Sequence, residues 1–284
     1  MKVFHRGNLN DFMKMKNELL SMKTVFETSE TTFTKQIIIH DEQVKILYAE
    51  ETLTFRDLGL MAKVKKEITA NAIEKNISFT FEPEKIKYNV YNYAALTPDT
   101  DLFNIVEIDI KAAYFYACLN MGLLSKETFK TLIDLPKLTR LKILGSIATL
   151  KTVTTYKNGK MLGQPEQKKN DLTRSAWFAI TLKVDEILLN ISERINKDFL
   201  FYYVDGIYIN EDAISESIVE DEITKQGFLF TKKKIDYIRV TKSGNLIVKD
   251  VEGARPFYVL RDKIKKYAYA TTEQINNYNK YGRL

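Results

Sequence analysis

Phe199-Leu200-Phe201-Tyr202-Tyr203-Val204-Asp205-Gly206-Ile207-Tyr208-Ile209-Asn210 sets two runs of aromatic and β-branched residues on either side of a single Asp-Gly step. The pattern predicts strand, tight turn, strand, with Asp205 at the apex. Asp-Gly is a favoured pair for a two-residue hairpin turn because both positions tolerate positive φ, so turn formation alone would account for Asp205. The other use of an acid at such an apex is as a ligand, and the choice depends on what the rest of the chain places beside it.

Upstream, Phe103-Asn104-Ile105-Val106-Glu107-Ile108-Asp109-Ile110 alternates as a strand, and residues 111–120 continue as a helix or turn-to-helix that Gly122 ends. Asp109 thus falls near the C-terminal end of a strand. Ser125 caps a short helix, Pro136 opens another running to about residue 150, and Asn158-Gly159 marks a hairpin. Asn170 or Asp171 opens a long helix in which Trp177, Ile180, Val184, Ile187, Leu188, Ile191 and Ile195 recur at helical spacing, a stripe that reads as core. After the hairpin come a helix over about 212–225, ended by Gly227, and a strand from Phe228 through Val240.

Residues 1–100 read as a mixed α/β region with no chemistry of its own. They hold a helix over about 11–25 capped by Asn10, a hairpin of 35–40 and 44–49, a helix from about 56 to 74, and two short strands within 77–93. Thr97-Pro98-Asp99-Thr100-Asp101 interrupts the pattern as a boundary, and the tail after Asn245 reads as two short strands and a helix near 262–270. Helices on one face of a mostly antiparallel sheet give an α+β class, and such a sheet can bring Asp109 and Asp205 together.

A chain of 284 residues with 45% hydrophobic and 12% aromatic residues can build a real core. It has no run of about 18 apolar residues, and MKVFHRGNLNDF lacks the apolar centre of a signal peptide, so no membrane partner and a cytoplasmic location are expected. Cys118 stands alone, with only His5 and His40 besides it, which excludes an internal disulfide and a zinc-spaced cluster and makes Cys118 a buried small hydrophobe. The net charge of +6 permits a polyanionic partner. Its basic excess lies mid-chain, between Lys126 and Arg174, with a second cluster at Lys232-Lys233-Lys234.

Two close carboxylates raise each other's pKa, and a divalent cation resolves such a site; oxygen-only ligands favour Mg²⁺ or Mn²⁺. Asp109-Ile110-Lys111-Ala112-Ala113-Tyr114 resembles the first palm motif of family B DNA polymerases, an aspartate at a strand end followed five residues later by a tyrosine. Tyr203-Val204-Asp205-Gly206-Ile207-Tyr208-Ile209 resembles the family's Asp-Thr-Asp-Ser hairpin, with Asp205 on the second, metal-binding aspartate and Tyr203 and Gly206 replacing the first aspartate and the serine. Residues 140–148 are similar to the fingers helix, where Ser146 is kept, Gly145, Ala148 and Thr149 stand for Asn, Tyr and Gly, and the basic residue is one position out of register. Lys232-Lys233-Lys234-Ile235 resembles the Lys-Lys-Arg-Tyr strand that touches primer-template.

The resemblance covers about residues 101–240 and implies a minimal phage- or mobile-element-type member. Its palm would be 101–124 with 171–245, its reduced fingers 125–170, and residues 246–284 a C-terminal extension, with too little chain for proofreading. It implies template-directed DNA synthesis from a DNA primer-template and dNTP by a two-metal mechanism, of low processivity unless a replication accessory protein holds the DNA. Asp109, Asp205 and the carbonyl of Ile110 would bind Mg²⁺ or Mn²⁺. Tyr114 would exclude a 2′-hydroxyl, Arg140 and Lys142 would contact the triphosphate, and Lys232, Lys233 and Lys234 would meet backbone phosphates. Two alternatives remain open: a reverse-transcriptase-like or primase-like polymerase, since Tyr203-Val204-Asp205 also resembles a Tyr-x-Asp-Asp hairpin, and a degenerate palm that only binds nucleic acid or a replication partner. Asp236 is a candidate third acid or a solvent-facing strand residue.

Overall fold

Caps and turns set the element boundaries in the computed structural model of the chain, which describes residues 2–5, 7–76, 83–168, 171–250, 257–259 and 267–269. After β1 (Lys2–His5), helix α1 (Leu9–Ser21) begins on Asn8 and not on Asn10. The Asn8 side chain accepts from the backbone of Asn10 and Asp11 while the Asp11 carboxylate takes the Asn8 N–H, a capping box. Strands β2 (Phe26–Glu30), β3 (Thr34–Ile39) and β4 (Val44–Ala49) precede α2 (Phe55–Glu74), which opens on an equivalent box between Thr54 and Asp57. Next come β5 (Asn89–Tyr91), β6 (Thr100–Leu102), β7 (Ile105–Ile110), α3 (Ala113–Asn120) and α4 (Lys126–Ile133), the last capped by Ser125. Helix α5 (Lys137–Gly145) stops in a short 3₁₀ turn before 150, and the hairpin of β8 (Lys151–Lys157) and β9 (Lys160–Lys168) turns on Asn158 and Gly159, both at positive φ. The long helix α6 (Asp171–Ile195), strands β10 (Phe199–Tyr203) and β11 (Gly206–Asn210), helix α7 (Ala213–Lys225), and strands β12 (Phe230–Val240), β13 (Leu246–Asp250), β14 (Phe257–Val259) and β15 (Tyr267–Tyr269) complete the series. Residues 267–269 are therefore strand where a helix was expected; the rest of that stretch, and one of the two strands expected within 77–93, lie outside the described residues.

The chain divides into two compact units, residues 1–81 with 121–179, and residues 82–120 with 180–284. In the first unit six strands lie in the order β1-β4-β3-β2-β8-β9, so the stretch expected as separate fingers supplies two strands to the sheet of the N-terminal residues. Its core joins Phe12 and Leu19 of α1 to Phe26, Ile37, Ile39, Ile46, Tyr48 and Tyr156. Phe26 and Tyr156 are cross-strand partners with rings stacked at 4.8 Å, a pairing that welds β8 onto β2. Glu67 on α2 accepts from the Ser125 N–H at 2.5 Å and the Thr128 hydroxyl at 2.6 Å, placing a negative charge at the start of α4.

In the second unit the path is β15-β14-β13-β12-β7-β11-β10-β5, with β6 also on β12, and every pairing is antiparallel. Within it, β7 is followed by α3 and the second-unit part of α6, then by β10, β11, α7 and β12, and the first of these strands lies between the last and the hairpin, the split β-α-β arrangement. Burial along β7 explains which face does what: Val106, Ile108 and Ile110 are buried, while Glu107 and Asp109 are only half-buried. The class is α+β, as the alternation implied, and among the described residues no helix is long and apolar enough to cross a membrane.

Candidate functional site

Strand register builds the site. Because directly paired residues of antiparallel strands point to the same face, the cross-strand row Asn89, Tyr203, Gly206, Asp109, Thr231 runs from β5 through β10, β11 and β7 to β12 on one face of the sheet. The next row on that face is Tyr91, Phe201, Tyr208, Glu107, Lys233. Its rings form a ladder, with Tyr91 to Phe201 centroids at 5.9 Å and Phe201 to Tyr208 stacked at 4.2 Å. The ladder delivers the Tyr208 hydroxyl to Glu107, donating to Oε1 at 2.5 Å.

The hairpin differs from its sequence reading at the turn itself. Tyr203 pairs with Gly206, so the two loop residues are Val204 and Asp205, and Gly206 is the first residue of β11 with no positive φ. Val204 takes φ 61° instead, a conformation that its branched side chain resists. A Cβ at Gly206 would lie 3.5 Å from Asp109 Oδ1 and 3.6 Å from Glu107 Oε1, in ordinary contact with two carboxylates. The Ile110 N–H donates to the Asp205 carbonyl at 2.9 Å, which ties the turn to the end of β7. The backbone of Asp205 is therefore held at the end of β7 that carries Asp109.

The electrostatics follow the geometry. Burial pushes the Tyr208 phenol well above the usual tyrosine range, and the charges of Glu107, Asp109 and Asp205 add to it. Burial also raises Tyr114, and the charge of Asp205 is the next largest cause. Tyr114, in the first turn of α3, lines a pocket of about 270 Å³ together with Tyr88, Asn89, Tyr203 and Val204. Cys118, one turn further along the same helix, is fully buried, as the lone cysteine implied.

The other expected residues lie on other elements. Arg140 and Lys142 belong to α5 in the first unit. The Lys142 ammonium is ion-paired with Glu50 and donates to Thr52 Oγ1 at 2.6 Å, and Arg140 donates to the Ile133 carbonyl at 3.2 Å. On β12, Lys232 and Lys234 point to the helix-covered face, paired with Glu216 and Glu220 and with Glu211, while Lys233 shares the face of the carboxylates. Asp236 is no third acid for this site: Asp109 faces Thr231, five residues away or about 16 Å along an extended strand, and Asp236 pairs with Lys249 at 3.2 Å.

Three participants escaped the sequence reading. Glu107 is two residues before Asp109 on the same strand, a spacing that puts both on one face. Asp185 is an acid one position off the apolar stripe of α6, 3% exposed, taking the N–H groups of Lys87 and Tyr88. Tyr88, at φ 59°, carries no motif.

Among the described residues no group of three or more His, Cys, Asp and Glu side chains is arranged to hold a metal ion. Asp109 and Asp205 offer only hard oxygen, the donor type of Mg²⁺, which takes one or two carboxylates from a protein and completes its shell with water and phosphate oxygens. Scans of the chain against protein-family models and against curated proteins gave no match.

Proposed function

We propose that the chain is a template-directed nucleotidyltransferase, a DNA polymerase of palm type lacking proofreading, which acts on a DNA primer-template and dNTP. One observation carries the reading: a split β-α-β sheet sets Asp109 across from Gly206 and hydrogen-bonds Ile110 to Asp205, so the backbones carrying two acids from separate motifs meet at one strand end beside an aromatic pocket. Asp109, Asp205 and the Ile110 carbonyl would hold Mg²⁺, with Glu107 as a further acceptor for a metal-bound water. The bound ions supply an activated 3′-hydroxyl and charge neutralisation on the triphosphate. The protein's own part is to orient. Tyr114 and Tyr203 wall the pocket in which a sugar ring would sit, and Lys233 offers a positive charge on the carboxylate face to the nucleic acid backbone. The family resemblance of the two motifs, in the right order along the chain, supports the same reading. The test is incorporation of dNTP by the purified chain on primed and unprimed templates with Mg²⁺ or Mn²⁺, lost in Asp109→Asn and Asp205→Asn; no incorporation on any of them would sink the proposal.

A second reading is a non-catalytic palm that binds nucleic acid. It is favoured by Gly206, which leaves the strand position opposite Asp109 without an acid, and by the ion pairs that occupy Lys232 and Lys234. Such a protein would hold DNA equally well in EDTA and be indifferent to Asp109→Asn.

A further inference from the structure

Asp185 lies in the part of α6 that belongs to the second unit, and it is 3% exposed. It accepts three hydrogen bonds: from the Lys87 N–H at 2.8 Å on Oδ2, and from the Tyr88 N–H at 2.9 Å and the Tyr202 hydroxyl at 3.0 Å on Oδ1. A buried carboxylate with this many donors is well satisfied, and its main effect is on the chain that supplies them. Tyr88 is held at φ 59°, and its carbonyl accepts the Val204 N–H at 2.7 Å. Val204 is itself at φ 61° and is followed directly by Asp205, whose carbonyl takes the Ile110 N–H. Two residues in an unfavourable backbone region thus lean on each other through one hydrogen bond, and such conformations persist only where the surroundings over-determine them. The fixed point at the far end is Asp185. Tyr88 also supplies a wall of the pocket with Tyr114 and Tyr203, so the same anchor governs both sides of the site.

We infer that Asp185 is a positioning residue, which sets the Val204-Asp205 turn and the Tyr88 wall of the pocket through the backbone of Tyr88. Its consequence for activity rests on the nucleotidyltransferase reading; its consequence for the turn does not. An amide cannot replace this carboxylate, since with its oxygen toward Tyr88 and Tyr202 its NH₂ faces the Lys87 N–H, donor against donor. Removing the Tyr202 hydroxyl takes one donor from the same carboxylate and leaves both backbone bonds in place, so Tyr202→Phe is the matched control for a merely structural loss.

The experiment compares the full chain with Asp185→Asn and Tyr202→Phe, each below its unfolding transition. Amide hydrogen exchange is read at Val204 and along β12, and Mn²⁺ affinity and dNTP incorporation are measured beside it. The expected result is exchange at Val204 faster by about tenfold in Asp185→Asn than in Tyr202→Phe, the loss of one charge-assisted hydrogen bond, with β12 unchanged between them and Mn²⁺ binding weakened in Asp185→Asn alone. Equal exchange at Val204 in the two variants overturns the inference. If Asp185→Asn does not fold, Asp185→Glu, which keeps the charge, is read by the same comparison. A wild-type chain that neither binds Mn²⁺ nor incorporates dNTP removes the enzymatic reading and leaves the exchange result to decide the role of Asp185 by itself.

Discussion

Gly206 stands directly across the strand pair from Asp109, and a Cβ added to it would meet Asp109 Oδ1 at 3.5 Å and Glu107 Oε1 at 3.6 Å. Those are ordinary contact distances, so Gly206→Ala is expected to fold with a stability change within about 1 kcal/mol. Gly206→Asp is different, because it places a third carboxylate beside two others. Like charges directly opposite destabilise by roughly 0.2–1 kcal/mol and raise one another's pKa. A carboxylate whose folded pKa is raised contributes its stability at low pH and loses it as pH rises. Urea unfolding of the two variants should therefore differ at neutral pH and converge as the solution is acidified through the carboxylate range; a difference that does not depend on pH refutes the crowding of charges.

Four tyrosines of the second unit are held above the usual phenol range, Tyr88 by burial and then the charge of Asp185. For Tyr114 the cause is burial and then the charge of Asp205, for Tyr202 burial and then Asp185, and for Tyr208 burial and then Glu107. Each contributes stability that is complete below the unfolded tyrosine pKa of about 10 and is lost as pH climbs through its folded value. Alkaline denaturation is expected to steepen above about pH 10, by up to about 1.4 kcal/mol per pH unit for each tyrosine. Tyr208→Phe should make the slope shallower, and spectrophotometric titration of phenolate should show fewer groups ionising before unfolding than the chain's 16 tyrosines.

Lys142 is the residue for which a structural role and an expected nucleotide contact make opposite demands. Its ammonium pairs with Glu50 and donates to Thr52, and its side chain is 14% exposed. Removing it leaves Glu50 without a partner inside the first unit, and Lys142→Met is expected to cost about 1–3 kcal/mol. Glu50→Gln in the Lys142→Met background should then cost almost nothing more. A Lys142→Met chain of full stability would free this lysine for a ligand.

Much of the fold is legible in local chemistry, because caps and turns are short-range devices. Ser125, Asp212 and Gly227 do what their residue types imply, and Asn158-Gly159 turns as that pair should. What was not legible depends on register between distant segments. The turn slid by one residue to Val204-Asp205 because Tyr203 is held against Asn89 of a strand more than a hundred residues upstream, a pairing that no local propensity encodes. Glu107 became visible only when Tyr208 and Gly206 were seen across from the β7 acids. Asp185 was hidden for the converse reason: in a helix read for its apolar stripe an acid looks like solvent face, and two of its three partners are backbone N–H groups, which leave no mark in a sequence. Likewise the joining of β8 to β2 rests on the non-local stack of Phe26 on Tyr156.

Gly159 closes the β8–β9 hairpin at φ 73°, and a Cβ there would come within 2.9 Å of the Leu20 carbonyl oxygen at the end of α1. Both the backbone conformation and the close approach require glycine. Gly159→Ala is expected to lose about 1–3 kcal/mol, the cost of strain added to a clash with backbone. Gly163, also at φ 73° but with open space around its Cβ position, should lose less on the same change. Thermal unfolding of the pair measures the difference, and equal losses would mean that the contact with Leu20 contributes nothing.

Val204 runs the opposite experiment, since there a branched residue occupies a conformation suited to glycine or asparagine. Its φ of 61° costs of order 1–3 kcal/mol, against about 0.5–1 kcal/mol of extra chain entropy when glycine is introduced. Val204→Gly should therefore stabilise the fold by about 1 kcal/mol, and Val204→Asn, which tolerates the same region without glycine's entropy, by at least as much. Stability gained at this turn should come with loss elsewhere, because the side chain lines the pocket and the strained turn carries Asp205. Urea unfolding combined with Mn²⁺ titration of the three proteins separates the two effects. More stable variants with weaker Mn²⁺ binding would mark the strain at Val204 as part of how the site is set, whereas variants less stable than the parent would show that the turn stores none.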